Sequence, residues 1–131
     1  MPRIDISTEA APAAIGAYSQ AIKTGETVYL SGQIGLDPST MKLVADTFES
    51  EIRQVFHNLE SVCHASGGSL SDIVKTIVYL TDLGLFDKVN EVFADQFRPP
   101  FPARSVVEVN DLPRRARVEI EAILLIPRES N

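Results

Sequence analysis

The sequence predicts an α+β fold in which one mixed β-sheet carries two helices on one of its faces. Three observations lead there. Short β-branched runs are interrupted by only two segments of helical periodicity, in the order strands, helix, strand, helix, two strands. The last strand is apolar along one side, so one face of the sheet must meet the helices. The chain has 131 residues, 44% hydrophobic and 23% charged, which suits one domain, residues 1–131, with a real core.

Taken in order, residues 3–7 alternate weakly and read as a short edge strand. Residues 8–16, rich in Ala with Pro12 and Gly16, read as an ordered loop. Residues 18–23 and 27–31 flank Gly25-Glu26 and read as a hairpin turning at residues 24–26. Gly32 and Gly35 then interrupt the strand pattern, as glycines do at a bulge or a close backbone approach. Asp37-Pro38-Ser39-Thr40 is a turn.

Asp46 and Thr47 are N-cap candidates for the first helix, with Glu49 and Glu51 suited to its positive end. Phe48, Ile52, Val55, Phe56, Leu59, Val62 and Cys63 form one apolar stripe, and Gly67-Gly68 ends the helix. Residues 73–80 (IVKTIVYL) are nearly continuously apolar, which predicts a central strand covered on both faces. Thr81-Asp82 leads into a second helix with Phe86, Val89, Phe93 and Phe97 on its buried side. Asn90 is offset from that stripe, and Arg98-Pro99-Pro100 closes the helix. Residues 101–125 then read as two strands joined by a turn at 110–115. No repeat, low-complexity segment or linker interrupts the chain.

Several functions are argued against. The net charge is −6, opposite to what phosphate neutralisation requires, so nucleic acid is not the expected partner. The basic cluster Arg114, Arg115 and Arg117 falls at a turn, where charges are usually solvated. Cys63 is the one cysteine, so no internal disulfide forms, and its place on the helical stripe makes it a core residue. His57 and His64 lack a third ligand at useful spacing, so no metal site is expected. No apolar run is long enough for a membrane span and the N-terminus has no hydrophobic signal region, which together predict a cytoplasmic protein.

Two charges stand out. Arg104 lies in one strand among Ala103, Val106, Val107 and Val109, and Glu119 lies in the next between Val118 and Ile120. A charge in such a run is costly unless paired, hydrated or used. Either both point to solvent from a half-buried sheet, or Arg104 holds a small carboxylate while Glu119 manages a water beside it. The last strand adds a second puzzle. Val118, Ile120, Leu124 and Ile126 share one face, and Arg117, Glu119, Glu121, Ile123 and Leu125 the other. Ile123 and Leu125 are too apolar to be left bare, so either an N-terminal segment covers that face or a second subunit does, the second being expected because few residues remain for the first.

The residues also resemble a known family. APAAIGAYSQA (11–21), YLSGQI (29–34), VKTIVYLTDL (74–83), KVNEVF (88–93), FPARSVVEV (101–109) and RVEIEA (117–122) are similar, in register, to the RidA (YjgF) family over residues 6–126. The resemblance implies a chorismate-mutase-like subunit in a homotrimer with a barrel-like centre and sites between subunits. It implies hydrolytic deamination of 2-iminobutanoate and 2-iminopropanoate to 2-oxo acids and ammonia, without metal or organic cofactor. Arg104 would bind the substrate carboxylate, and Glu119 would position or activate the attacking water. Tyr18, Ser31, Gly32 and Asn90 would complete the substrate pocket. The chain departs from the family pattern at Val106, where Cys is common, at Ala17, where Pro is common, and at Arg115, where Gly is common. Alternatives are a small-carboxylate sensing trimer of the same family without efficient hydrolysis, and a ribonuclease or translation inhibitor.

Overall fold

The structure, a computed structural model, describes residues 2–127. Six strands form one sheet in the order β1-β2-β3-β6-β4-β5. In chain order they are β1 (Ile4–Ile6), β2 (Ala21–Thr24), β3 (Thr27–Gln33), β4 (Ile73–Leu80), β5 (Ala103–Glu108) and β6 (Val118–Leu125). Helix α1 (Phe48–Ala65) lies between β3 and β4, and α2 (Phe86–Gln96) between β4 and β5. All neighbouring strands are antiparallel except β4 and β5, which the α2 crossover makes parallel.

Most elements form where local signals place them. Gly25, at φ 60°, and Glu26 turn the β2–β3 hairpin. Thr47 caps α1: its hydroxyl accepts from the Ser50 amide at 3.0 Å, while the Ser50 hydroxyl accepts from the Thr47 amide at 3.1 Å. The α1 stripe is buried as expected, and Phe56 meets Phe93 and Phe97 of the second helical segment edge-on at 5.3 and 5.7 Å. Cys63 is fully buried, and burial pushes its thiol up to about 12.

Three expectations change. The strands β5 and β6 are not neighbours: β4 lies between them, because the α2 crossover delivers β5 to the outside of the sheet. The strand β4 is not covered on both faces. Thr76, Val78 and Leu80 are buried under the helices, whereas Lys75, Ile77 and Tyr79 face the open side and retain exposure. Its apolar run matches that of a doubly covered strand because Ile77 belongs to a face that the chain itself leaves open. Phe86 is 38% exposed and so is not part of the buried stripe.

Both helices pack on the same face, where Val28, Leu30, Val78, Leu80, Val118, Ile120 and Leu124 are buried. The other face keeps Tyr29, Val107 and Leu125 exposed. Two buried polar side chains hold the segments around that face. Gln20 accepts from the Thr8 amide at 2.7 Å and donates to the Pro12 carbonyl at 2.8 Å, which fixes the N-terminal loop. Asn58 of α1 donates to the carbonyls of Ile34 and Leu36 at 3.1 and 2.9 Å, tying down the chain after β3. Glu51, also buried, accepts from the amide and Nε of Arg117, both at 2.7 Å, and so anchors the start of β6.

Candidate active site

A cleft of about 650 Å³ opens on the uncovered side of the sheet. Its floor is β6 and β3, and its wall is the N-terminal loop that Gln20 fixes. Tyr18, Ser31, Gly32 and Glu119 all line it, joined by Tyr79, Glu121 and Arg114. Its size suits a small organic ligand.

The bulge in β3 shapes this cleft. Leu30 pairs with Ala122 and Gln33 with Ile120, so one extra residue is taken up at Ser31–Gly32. The bulge turns the Ser31 side chain so that its hydroxyl donates to the Ser19 carbonyl at 2.6 Å, leaving its lone pairs as acceptors. It also brings the Gly32 backbone against Glu119: a Cβ at position 32 would stand 2.7 Å from Glu119 Oε2. Glycine gives the Glu119 carboxylate its room here by close approach, since its φ is not among the positive ones. Glu119 has no hydrogen-bond partner among the described residues. Burial first, and Glu121 second, hold its carboxyl above the usual carboxylate range.

Arg104 is elsewhere. It lies in β5 at a second hollow with Asn90, Phe93 and Phe101. Its guanidinium sits 5.3 Å from the Phe86 ring centre and 4.9 Å from that of Phe93, and Nη1 donates to Asn90 Oδ1 at 3.1 Å. Arg53, Lys88 and Arg117 each have a carboxylate partner, whereas Arg104 has none among the described residues. Here is a cation oriented by two rings and an amide, yet not neutralised.

Register puts Arg104 and Glu119 on opposite sides of the sheet. Arg104 stands beside Thr76, and Glu119 beside Tyr79. Cross-strand neighbours share a face, and positions 76 and 79 are an odd number apart, so they do not. The residues expected to work together therefore fall in two separate places: Arg104 and Asn90 at the β5 edge, and Tyr18, Ser31, Gly32 and Glu119 in the open cleft.

Sequence reasoning passed over Tyr79, Arg114 and Phe86. Glu121 had a signal, its same-face spacing from Glu119. Arg114 lines the cleft and donates to the Met41 carbonyl at 3.1 Å, whereas Arg115, the residue noted as atypical, is not part of the lining. Both arginines have φ of 60°, in the left-handed region where glycine is unstrained. No group of His, Cys, Asp and Glu among the described residues is arranged to hold a metal ion, and no described helix is long and apolar enough to cross a membrane.

The chain is similar to known proteins. A family model described as Endoribonuclease L-PSP matches residues 8–126. The chain is 46% identical over 125 residues to the 2-iminobutanoate/2-iminopropanoate deaminase of Dermatophagoides farinae, covering 95% of this chain and 98% of that protein. Among solved structures it is similar to RidA from the Antarctic bacterium Psychrobacter sp. PAMC 21119, with a TM-score of 0.92 and 52% identity over 95% of this chain and 100% of that one. It is also similar to E. coli TdcF, solved with bound serine, with a TM-score of 0.88 and 37% identity over 95% and 99% of the two chains. The six-stranded sheet with two helices is the fold of these structures.

Proposed function

We infer, from the premise that this chain belongs to the Endoribonuclease L-PSP (RidA/YjgF) family, that it is an enzyme that deaminates reactive imino acids. It hydrolyses 2-iminobutanoate and 2-iminopropanoate, with their enamine tautomers, to 2-oxo acids and ammonia. In the geometry, Arg104 carries this reading: a guanidinium oriented by Phe86, Phe93 and Asn90 and left without a carboxylate of its own.

The reaction needs few groups. Arg104 grips the substrate carboxylate with its planar fork. The protonated imine is already electrophilic, so no covalent nucleophile is required, which agrees with Val106 and with the inert, buried Cys63. Glu119 accepts a proton from a water as that water attacks C2, forming a carbinolamine. Glu119 returns that proton to the nitrogen and takes the C2–OH proton as the C–N bond breaks, so that C2 becomes the 2-oxo carbon and ammonia leaves, carrying the remaining proton away as ammonium. Ser31, whose hydroxyl proton is engaged by Ser19, offers an acceptor to the substrate nitrogen, and Tyr18 closes over it. These residues supply each step without a metal or organic cofactor.

Arg104 and Glu119 face opposite sides of one sheet, so the complete site takes its halves from two chains. We assign the assembly as a homotrimer with three such sites and the open sheet faces turned to a barrel-like centre. The exposed Tyr29, Val107 and Leu125 on that face support a covering copy. The residues described form one domain, and a cytoplasmic location fits a chain without a membrane-spanning helix among its described residues.

A small-carboxylate sensor without turnover is the second reading, favoured by the stable amino acid bound in TdcF. The ribonuclease reading is weaker, because a net charge of −6 and the paired carboxylates of the cleft repel phosphates.

An amino-acid oxidase assay separates these. The oxidase releases 2-imino acids in the presence of semicarbazide, and the protein is expected to suppress semicarbazone formation. No suppression by the folded protein, across several amino-acid precursors, would move the assignment to the sensor. Gly32→Ala is expected to lower kcat about 10²-fold, because the added methyl displaces the Glu119 carboxylate. Thermal melting should change little, since a flexible side chain and not the backbone yields.

A further inference from the structure

The cleft holds a second carboxylate that the reaction as described does not use. Glu121 follows Glu119 by two residues on β6, so both leave the same face, about 7 Å apart along the strand. Tyr79 of β4 stands directly across from Glu119, yet its hydroxyl crosses the diagonal and donates to Glu121 Oε1. Two like charges at neighbouring same-face positions weaken a sheet, so packing alone gives no reason for the arrangement.

We propose that Glu121, tethered by the Tyr79 hydroxyl, is a positioning residue whose negative charge, held beside Glu119, moves the acid limit of the reaction to higher pH. This deepens the deaminase reading and rests on it. The Glu121 hydrogen bond is the largest influence on Tyr79, whose phenol is pushed up to about 12 and stays a donor through the physiological range. The tether holds the Glu121 carboxylate beside Glu119, which is partly buried and without a donor, and after burial it is Glu121 that holds the Glu119 carboxyl above the usual range. Other groups also face Glu119, and in the shared site proposed above Arg104 of a second chain joins them, its positive charge opposing Glu121 in the wild type and acting alike in Glu121→Gln. The N-terminal loop brings Tyr18, β3 brings Ser31 and Gly32, and β4 brings Lys75 further along the open face. The loop before β6 brings Arg114, which is engaged with the Met41 carbonyl.

Glu119 works as a base only when ionised, and a neighbouring negative charge makes it protonate at higher pH. Activity should therefore fall on the acid side earlier than it does when position 121 carries no charge. Glu121→Gln keeps the shape and the tether but removes the charge. The test is a ¹³C-carboxyl NMR titration of the glutamate-labelled full chain, with Glu119 assigned through Glu119→Gln, alongside the acid limb of kcat/KM. In Glu121→Gln both midpoints are expected to move down by about half to one pH unit. A Glu119 midpoint unchanged from wild type would overturn the proposal. The NMR readout needs no turnover, so a shifted midpoint in a protein that hydrolyses no imine would sustain the charge coupling and overturn only the deaminase reading. If Glu121→Gln does not fold, Tyr79→Phe serves. Released from its tether, the Glu121 carboxylate no longer holds its place beside Glu119, and the Glu119 midpoint should move away from the wild-type value. An unshifted midpoint would overturn the proposal.

Discussion

Arg104→Ala is expected to abolish imine hydrolysis while leaving the fold and the assembly intact. Removing a charge-assisted bidentate grip from a desolvated site costs a few kcal/mol, which is about 10²–10³-fold in kcat/KM. The cost to stability is smaller. Arg104 contributes packing against Phe86 and Phe93 and one hydrogen bond to an exposed Asn90. Together these are worth about 1–2 kcal/mol. Arg104→Lys should fall between the two proteins: the charge survives, but the planar fork and its seat between the rings do not. Sedimentation and thermal melting would establish that each variant is assembled, and the semicarbazide-coupled assay would read turnover. Near-normal turnover in a folded Arg104→Ala protein would remove Arg104 from the site.

Mixing two inactive proteins should restore activity. Glu119→Gln is expected to bind substrate but not turn it over, and Arg104→Ala not to bind it. If each site takes Arg104 from one chain and Glu119 from another, denaturing the two variants together at equal amounts and refolding them rebuilds some intact sites. Random assembly places a normal Arg104 opposite a normal Glu119 in about a quarter of sites, so about a quarter of wild-type activity should return. A site contained within one chain would give none, because every chain carries one lesion. The experiment thus tests the inference that comes from register, namely that Arg104 beside Thr76 and Glu119 beside Tyr79 face opposite ways. Failure to recover activity, with mixed oligomers demonstrated by mass, would return both residues to a single chain and require the β5 edge to rearrange.

The two helices, the hairpin and the last strand were legible in the sequence because each is specified by contacts close in the chain. The α1 stripe, the Thr47 cap, Gly25 in its turn and the alternation of β6 are all of this kind. The bulge was legible as well, because a glycine beside a strand's end has few other uses, and Gly32 is where Glu119 needs room. The charged candidates were legible as residues but not as a constellation. Arg104 and Glu119 look like partners on consecutive strands; only the α2 crossover, which inserts β4 between β5 and β6, determines that they are not neighbours.

What the sequence alone determined was the class of fold, the identity of the unusual charges and, through its motifs, the family. Those depend on periodicity and residue type, which any stretch of chain displays locally. Tertiary structure decided which face each charge occupies, that Arg104 is held by Phe86 and Phe93, and that Tyr79 reaches past Glu119 to Glu121. Strand order and register are set by which segments bury apolar surface together across long separations, and a shift of one residue would turn every side chain to the other face. The covered face, with Ile120 and Leu124 under α1 and α2, settles that register. The open face, with Glu119, Glu121 and Leu125, follows from it, and the proposed sharing of the site between two chains rests on that placement.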